Sequence, residues 1–393
     1  MKITDVEVAW IQLPLPVARG LSGGPITAST DLVCRVTAGD GLRGIGEARG
    51  APLPAMAEIV DQVLRPLLMG QDAAATHYLW TLMEEALFGS AQPALPAAWD
   101  RRARLGAMAA VDLALWEVKA KAAGLSICRL LGGRPHPVPA YCSSGFYVAG
   151  QSLEAMAQET LEEVQARGFQ AAKIRVGRGS PEESAARVRA VREVVGPSIK
   201  LMVDANQAWD TGEAIAHAHA MEPFDLTWLE EPLPSPGRPQ RVSHQVKDWD
   251  AETGRVAAHT TIPIASGENH VSLEECRDLV DKGRVRYLQF DCTKNGGVTE
   301  FCKVAAYAEA KGVLLAPHHV PHVHVQLAAA FPHAAWVEVF DNAKQHVAWA
   351  EGLFPGYPEV RGGHMECHDR PGWGFEVNER LLAQRGTLVR WKR

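Results

Sequence analysis

Three acidic residues each follow a short apolar run: Asp204 in LMVDANQAW, Glu230 in WLEEPLP and Glu268 in PIASGENH. Carboxylate oxygens are the donors that a hard divalent cation such as Mg²⁺ takes. Three of them on consecutive strand ends would make an oxygen-only cage. Basic groups sit at comparable places. Lys173 and Arg175 are separated by one residue in QAAKIRVG, and Asp204 and Asn206 repeat that spacing. In a strand of period two, each pair points to one side. Farther on, Asp291 ends VRYLQFD, His318 and His319 end VLLAPHH, and Glu338 lies in AWVEVFD. A histidine backed by a carboxylate makes a general base, because the acid fixes the tautomer and stabilises the protonated ring.

Such residues need a scaffold that gathers strand ends. From about residue 138 the chain shows eight short apolar runs: VPAYCSS, QAAKIRVG, IKLMVDAN, LTWLEEP, IPIASGEN, VRYLQFD, VLLAPHH and AWVEVFD. Amphipathic stretches such as LEAMAQETLEEVQARG and ESAARVRAVREVVG separate most of them. This alternation predicts a parallel sheet, and its repetition predicts a barrel, whose catalytic groups lie at the C-terminal strand ends. The eighth unit is incomplete. After AWVEVFD comes a Gly-, Pro- and Trp-rich tail, expected to return to the N-terminal unit. That unit begins with alternating ITDVEVAWIQL and a hairpin turning at Gly39-Asp40-Gly41, followed by helical patterning over 54–133 with Gly124 as a C-cap. Residues 16–30 (PVARGLSGGPITAST) read as a mobile loop. The connection across 234–260 is longer than a βα loop requires, which makes it a surface excursion or a wall of the site.

Composition narrows the function classes. The chain has 393 residues, 47% hydrophobic and 22% charged, with net charge −6. An acidic protein of this kind does not favour nucleic acid or an anionic membrane, so an anionic substrate needs local cations. The seven cysteines, at 34, 128, 142, 276, 292, 302 and 367, contain no C-x-x-C pair, as expected of a reduced cytoplasmic protein. The N-terminus lacks the apolar core of a signal peptide, and no apolar run is long enough to span a bilayer.

Taken in order, K-I-R (173–175), D-A-N (204–206), W-L-E-E-P (228–232), G-E-N (267–269), D-C-T-K-N-G-G-V-T (291–299), A-P-H (316–318) and V-E-V-F-D (337–341) resemble the enolase superfamily. Within it they resemble the mandelate racemase group, over essentially the whole chain. The resemblance implies an α/β fold: a modified (β/α)7β TIM-type barrel at 136–345, and an N-terminal α+β capping domain at 1–135 completed by the segment 346–393. It implies Mg²⁺ held by Asp204, Glu230 and Glu268, a substrate carboxylate on the metal, and an enediolate once the α-proton leaves. Lys173 would be an electrophilic partner of the carboxylate, and a protonated Glu338 would donate to its other oxygen. Asn206 would contact metal-bound ligand or substrate. His318 would be the base, oriented by Asp291, where muconate-lactonizing relatives carry lysine. Lys294 would brace the site from behind. Residues 16–30 and 47–54 would form the lid. The partners implied are a small carboxylic acid and further copies of the chain, in an even-numbered homo-oligomer.

Arg175 departs from the group's Lys-x-Lys pattern. Arginine is effectively always protonated and a poor base. Two-base racemisation therefore gives way to one-base chemistry, in which His318 takes the α-proton and helps the β-hydroxyl leave, with Arg175 binding substrate. The product is a 2-keto acid. The rivals are a racemase or epimerase, and a barrel kept only for binding. Some residues carry simpler readings. One acid alone is more often a solvated loop residue, and Glu231 suits a structural ion pair equally well. HHVPHVH has histidines at 318, 319, 322 and 324, donors zinc would take, but Pro321 starts a helix too late to align 318 with 322. His319 is the rival to His318 as base, and His322 and His324 read as helix-face residues. Gly296-Gly297 resembles a phosphate-binding helix start but reads more simply as a tight βα turn.

Overall fold

The computed structural model describes residues 1–90, 95–235 and 248–391. Its first unit is an antiparallel sheet of β1 (Ile3–Leu21), β2 (Gly24–Ala38) and β3 (Leu42–Ala48). Helices follow: α1 (Leu53–Ile59), which runs through a π turn (Val60–Leu64) into α2 (Arg65–Leu68), then α3 (Thr76–Phe88) and α4 (Arg101–Ala123). Asp100 caps the start of α4 by accepting from the Ala103 amide, and Gly124 ends it in the left-handed region at φ 67°. Small residues let α4 lie directly on the sheet. A Cβ on Gly46 would stand 1.9 Å from the carbonyl oxygen of Ala110, so only glycine fits.

Residues 16–30 are not a loop. β1 and β2 stay paired out to Leu21 opposite Gly24, with one irregularity between Pro14 and Arg19, so this stretch is a long two-stranded ribbon. Contacts across the molecule hold it. Gly20 and Tyr147 exchange backbone hydrogen bonds at 2.6 and 3.0 Å, Ser22 Oγ donates to the Asn206 carbonyl at 3.0 Å, and Arg178 donates to the Leu21 carbonyl. These partners satisfy backbone groups that the Gly- and Ser-rich composition alone would leave to water.

After α5 (Ile127–Leu130), eight parallel strands form the second unit: β4 (Val138–Ser143), β5 (Ala171–Arg175), β6 (Lys200–Asp204), β7 (Leu226–Glu230), β8 (Ile264–Ser266), β9 (Tyr287–Leu288), β10 (Leu314–Leu315) and β11 (Val337–Val339). β4 to β10 are neighbours in sequence order, and β11 pairs with β4. Ala335 N donates to Leu315 O at 2.7 Å and closes the ring between β10 and β11. Helices α6 (Leu153–Arg167), α7 (Pro181–Val195), α8 (Thr211–Met221), α9 (Trp249–Ala258), α10 (Leu273–Gly283), α11 (Gly297–Ala310) and α12 (Pro321–Ala328) connect the strands. Much of the long connection expected across 234–260 lies outside the described residues; its end is α9. Tyr141, Met202 and Trp228 fill the barrel centre with small alanines around them, as a packed barrel core requires.

The tail touches both units. Past α13 (Asn342–Gln345) and α14 (Val347–Ala350), the short strands β12 (Val360–Arg361) and β13 (His364–Met365) join the edge of β4. After α15 (Glu379–Arg385), β14 (Thr387–Arg390) pairs antiparallel with β1. The two units also share a buried contact at Gly296-Gly297. There Asp112 of α4 accepts from Thr299 N at 2.9 Å and Thr299 Oγ1 at 2.7 Å. A carboxylate of the protein itself thus occupies this helix start, and a Cβ on Gly297 would lie 2.3 Å from it. Among the described residues, no helix is long and apolar enough to cross a membrane.

Candidate active site

The matched strand ends bring the acidic residues together. Arg175 stands beside Asp204, and Asp204 beside Glu230, in the parallel register of β5, β6 and β7; Glu268 follows the end of β8. All three carboxylates are buried, none more than 8% exposed. Asn206 orients Asp204, its amide N–H reaching Oδ1 at 2.8 Å and its side chain Oδ2 at 2.9 Å. Glu230 accepts on one oxygen from Lys173 at 2.5 Å, and on the other from Gln289 at 2.7 Å and Trp228 at 3.0 Å. Burial, and then the charge of Asp204, push Glu230 well above the usual carboxylate range. Oxygen-only donors crowded at negative charge suit a hard dication, which would relieve that repulsion.

Two flanks enclose these carboxylates. On the β5 side, Lys173 is fully buried, 2.5 Å from Glu230, 2.7 Å from Glu338 and 3.7 Å from Asp204. Burial opposes its charge, but Glu230 and Glu338 outweigh that and hold it above the usual lysine range. Arg175 donates to Ser143 Oγ at 3.0 Å, lies over the Phe146 ring, and sits 3.6 Å from Asp204. On the β10 side, His318 Nδ1 faces Asp291 Oδ2 at 2.9 Å, and its Nε2 lies 3.0 Å from Glu268. Thr293 donates twice to the other Asp291 oxygen. Burial works against the Asp291 charge, but the His318 hydrogen bond and the nearby cations hold it well below the usual range.

One expectation needs correcting here. Glu338 is not placed as a protonated donor. Its oxygens accept from Lys173 and from the His319 amide at 2.9 Å. Burial would raise its pKa, yet Lys173, then His318 and Arg175, bring it down to about 2. His322 and His324 lie on α12 as helix-face residues, on its inward side and fully buried. His322 bonds Glu47 of β3 at 2.7 Å, while His324 bonds the His319 carbonyl and stands 3.8 Å behind Asp291 Oδ1. His319 pairs its Nε2 with His346 Nε2 at 2.9 Å, while Asp291 takes His318 as its partner. Among the described residues, the one trio of metal-donor atoms within 4.8 Å of one another is Asp291, His318 and His319. Those donors already serve that hydrogen-bonded chain, while Glu230 and Glu268 lean toward Lys173 and His318. Glu231 is held by Gln207 at 2.9 Å and Asn269 at 2.6 Å.

Backbone strain gathers at this mouth. Asn206, Gln207, Glu231, His319 and Val320 all have positive φ, from 33° to 63°. Non-glycine residues hold such angles where surrounding contacts over-determine them, commonly at functional sites. Above them lies a cavity of about 290 Å³, floored by Arg175, Asp204, Glu268 and His318 and roofed by the ribbon residues Leu15 and Leu21. Sequence reading had not singled out several groups here. Trp228 and Gln289 each stand two residues before a site acid, so strand periodicity could have found both. Lys294 comes closer than a brace from behind, lining the cavity 3.3 Å from His318 Nδ1. Arg19 and Arg49 carried no such signal.

The enolase C-terminal domain-like family model matches residues 155–381, and the mandelate racemase / muconate lactonizing enzyme N-terminal model matches residues 2–132. L-talarate/galactarate dehydratase of Salmonella typhimurium is 32% identical, over 98% of this chain and 90% of its own length. 3,6-Anhydro-alpha-L-galactonate cycloisomerase of Streptomyces coelicolor is also 32% identical, over 96% and 98%. The solved L-talarate dehydratase of Polaromonas sp. JS666, complexed with Mg and L-glucarate, is 31% identical and superposes with a TM-score of 0.84 over all of both chains. With its capping sheet, closed barrel and ordered mouth residues, the chain belongs to the mandelate racemase / muconate lactonizing enzyme family of the enolase superfamily.

Proposed function

We propose that this chain is a Mg²⁺-dependent dehydratase that converts a hydroxy or sugar acid to a 2-keto acid. One observation carries the reading: a carboxylate-backed histidine on one flank of the carboxylates faces permanently charged Lys173 and Arg175 on the other. Asp204, Glu230 and Glu268 hold the cation, which when bound supplies Lewis-acid charge to the substrate carboxylate. Lys173 donates to the carboxylate oxygen that gains charge as the α-proton leaves. His318 Nε2 takes that proton, with Asp291 stabilising the imidazolium through Nδ1. The same imidazolium returns the proton to the β-oxygen as the C–O bond breaks, so water leaves and the enol tautomerises to the ketone. No oxidant is needed. Arg175 binds a substrate oxygen and cannot act as a second base.

The relatives support elimination, since the Salmonella typhimurium protein is named a dehydratase. A cytoplasmic setting accords with the free cysteines at 34, 128, 142, 276, 292, 302 and 367. The family reading carries with it an even-numbered homo-oligomer. The test is a panel of hydroxy and sugar acids incubated with enzyme and Mg²⁺ in D₂O. The expected result is a semicarbazide-reactive 2-keto acid, with no deuterium in inverted substrate. Inverted, deuterated substrate without keto product would establish epimerisation instead. An absence of turnover across the panel would defeat both.

A further inference from the structure

The cavity wall away from the three carboxylates carries donors that nothing in the protein accepts from. Arg19, on the docked ribbon, is 8% exposed; its Nη2 donates to Glu159 Oε1 at 3.0 Å, but its Nε has no partner. Gln345, at the end of α13, is also 8% exposed and has an unpartnered Nε2. Both side chains line the cavity. They are neighbours, because Lys344, the residue before Gln345, donates to the same Glu159 Oε1 at 2.7 Å. Glu159 has no oxygen left for them: its Oε1 serves Arg19 and Lys344, and its Oε2 accepts from Gln151 at 2.8 Å.

Buried donors without acceptors carry a desolvation penalty that a ligand bringing lone pairs removes. The chemistry selects among ligand ends. A terminal hydroxymethyl group brings one oxygen and no charge to two donors that stand on separate side chains. A carboxylate brings acceptors only and complements the guanidinium charge. We propose that Arg19 and Gln345 form a second carboxylate subsite at the roof of the cavity, and that the substrate is a hydroxy dicarboxylic acid. This deepens the dehydratase reading and rests on it for the placement of the first carboxylate.

The test compares hexarates, with two carboxylates, against hexonates of matched configuration, with one. Mg²⁺-loaded wild type, Arg19→Met and Gln345→Leu are each measured by keto-acid formation and by calorimetric binding. Wild type is expected to favour a hexarate by about 10³-fold or more, as a site built for buried hydrogen bonds does. Arg19→Met removes most of that preference and leaves the hexonates within about threefold; Gln345→Leu removes roughly tenfold of it. If Arg19→Met does not fold, Gln345→Leu carries the test. A wild type without preference, or a variant weakened equally toward both classes, overturns the subsite. Keto product from hexonates alone overturns the subsite and leaves the dehydratase reading. Hexarate binding that depends on Arg19, with no keto product from any acid, does the reverse. A panel in which no acid binds or reacts overturns both.

Discussion

The two flanks of the carboxylate cluster differ in what their positive groups can do. On the β5 flank, Lys173 is sealed between Glu230 and Glu338, and Arg175 lies between the Phe146 ring and Asp204. Both charges are fixed by their partners. On the β10 flank, His318 keeps 13% of its side chain exposed, has Asp291 behind it, and presents Nε2 to the site. Imidazole is the group whose ordinary pKa lets it change charge near neutrality. In the proposed mechanism one flank holds charge and the other exchanges protons. A symmetric pair of bases would suit inversion at the α-carbon; this asymmetry suits removal of a proton and departure of a leaving group on one side.

The strongest way to break the comparison is to remove the exchanging group. His318→Asn keeps a polar side chain but no base, and turnover should fall by about 10⁴-fold, at the upper end of general acid–base contributions. Retention of more than a tenth of the activity would show that another residue abstracts the proton. The second way is to make the flanks more alike. Arg175→Lys puts an ionisable amine where a permanent cation stands. Dehydration should fall roughly 10²-fold from the altered packing and substrate placement. Inverted, deuterated substrate should appear in D₂O. If it does not, in a folded variant that still binds acid, the arginine charge is not what blocks the second base.

The flanks also differ in how legible they were. Barrel strands, their order and the inward acids followed from apolar runs and period-two spacing, because local alternation controls which side chains face the centre. Glu338 shows the limit. Its protonation depends on Lys173, 165 positions earlier in the chain yet 2.7 Å away, and no local pattern encodes that distance. The ribbon failed for the same reason. Gly20 bonds the Tyr147 backbone, Leu21 O accepts from the Arg178 guanidinium and Ser22 Oγ donates to the Asn206 carbonyl, so a segment with loop composition is held as a sheet. The direction His322 faces was open for a third reason. On helical spacing alone it could face either way; Glu47 and the aromatic rings of Trp349, Phe354 and Phe375 draw it inward.

A smaller effect tests how firmly the cluster itself is held. Gln289 and Trp228 both donate to the Glu230 oxygen that Lys173 does not occupy. Such supporting groups typically tune metal affinity by about 10–100-fold. Gln289→Leu removes the shorter of the two bonds but leaves Trp228, so the Mg²⁺ concentration for half-maximal turnover should rise by about 10-fold. Turnover at saturating Mg²⁺ should change little. An unchanged Mg²⁺ dependence would mean that Lys173 and Trp228 suffice to orient Glu230.

The smallest expected effect lies at the ribbon that roofs both flanks. Ser22 Oγ donates to the carbonyl of Asn206, the residue that orients Asp204. Two backbone bonds to Tyr147 and the Arg178 contacts hold the same tip. Ser22→Ala therefore removes one neutral hydrogen bond among several, worth about 1 kcal/mol. That corresponds to about a fivefold shift between docked and undocked ribbon. The ribbon lines the cavity, and its tip bonds Tyr147, Arg178 and Asn206 rather than His318 or Asp291. KM should rise by up to about fivefold while kcat stays within about twofold, as when binding common to ground and transition states is weakened. A fall in kcat larger than the rise in KM would mean that Ser22 acts through Asn206 on Asp204, and that the roof helps set the geometry of the carboxylate cluster beneath it.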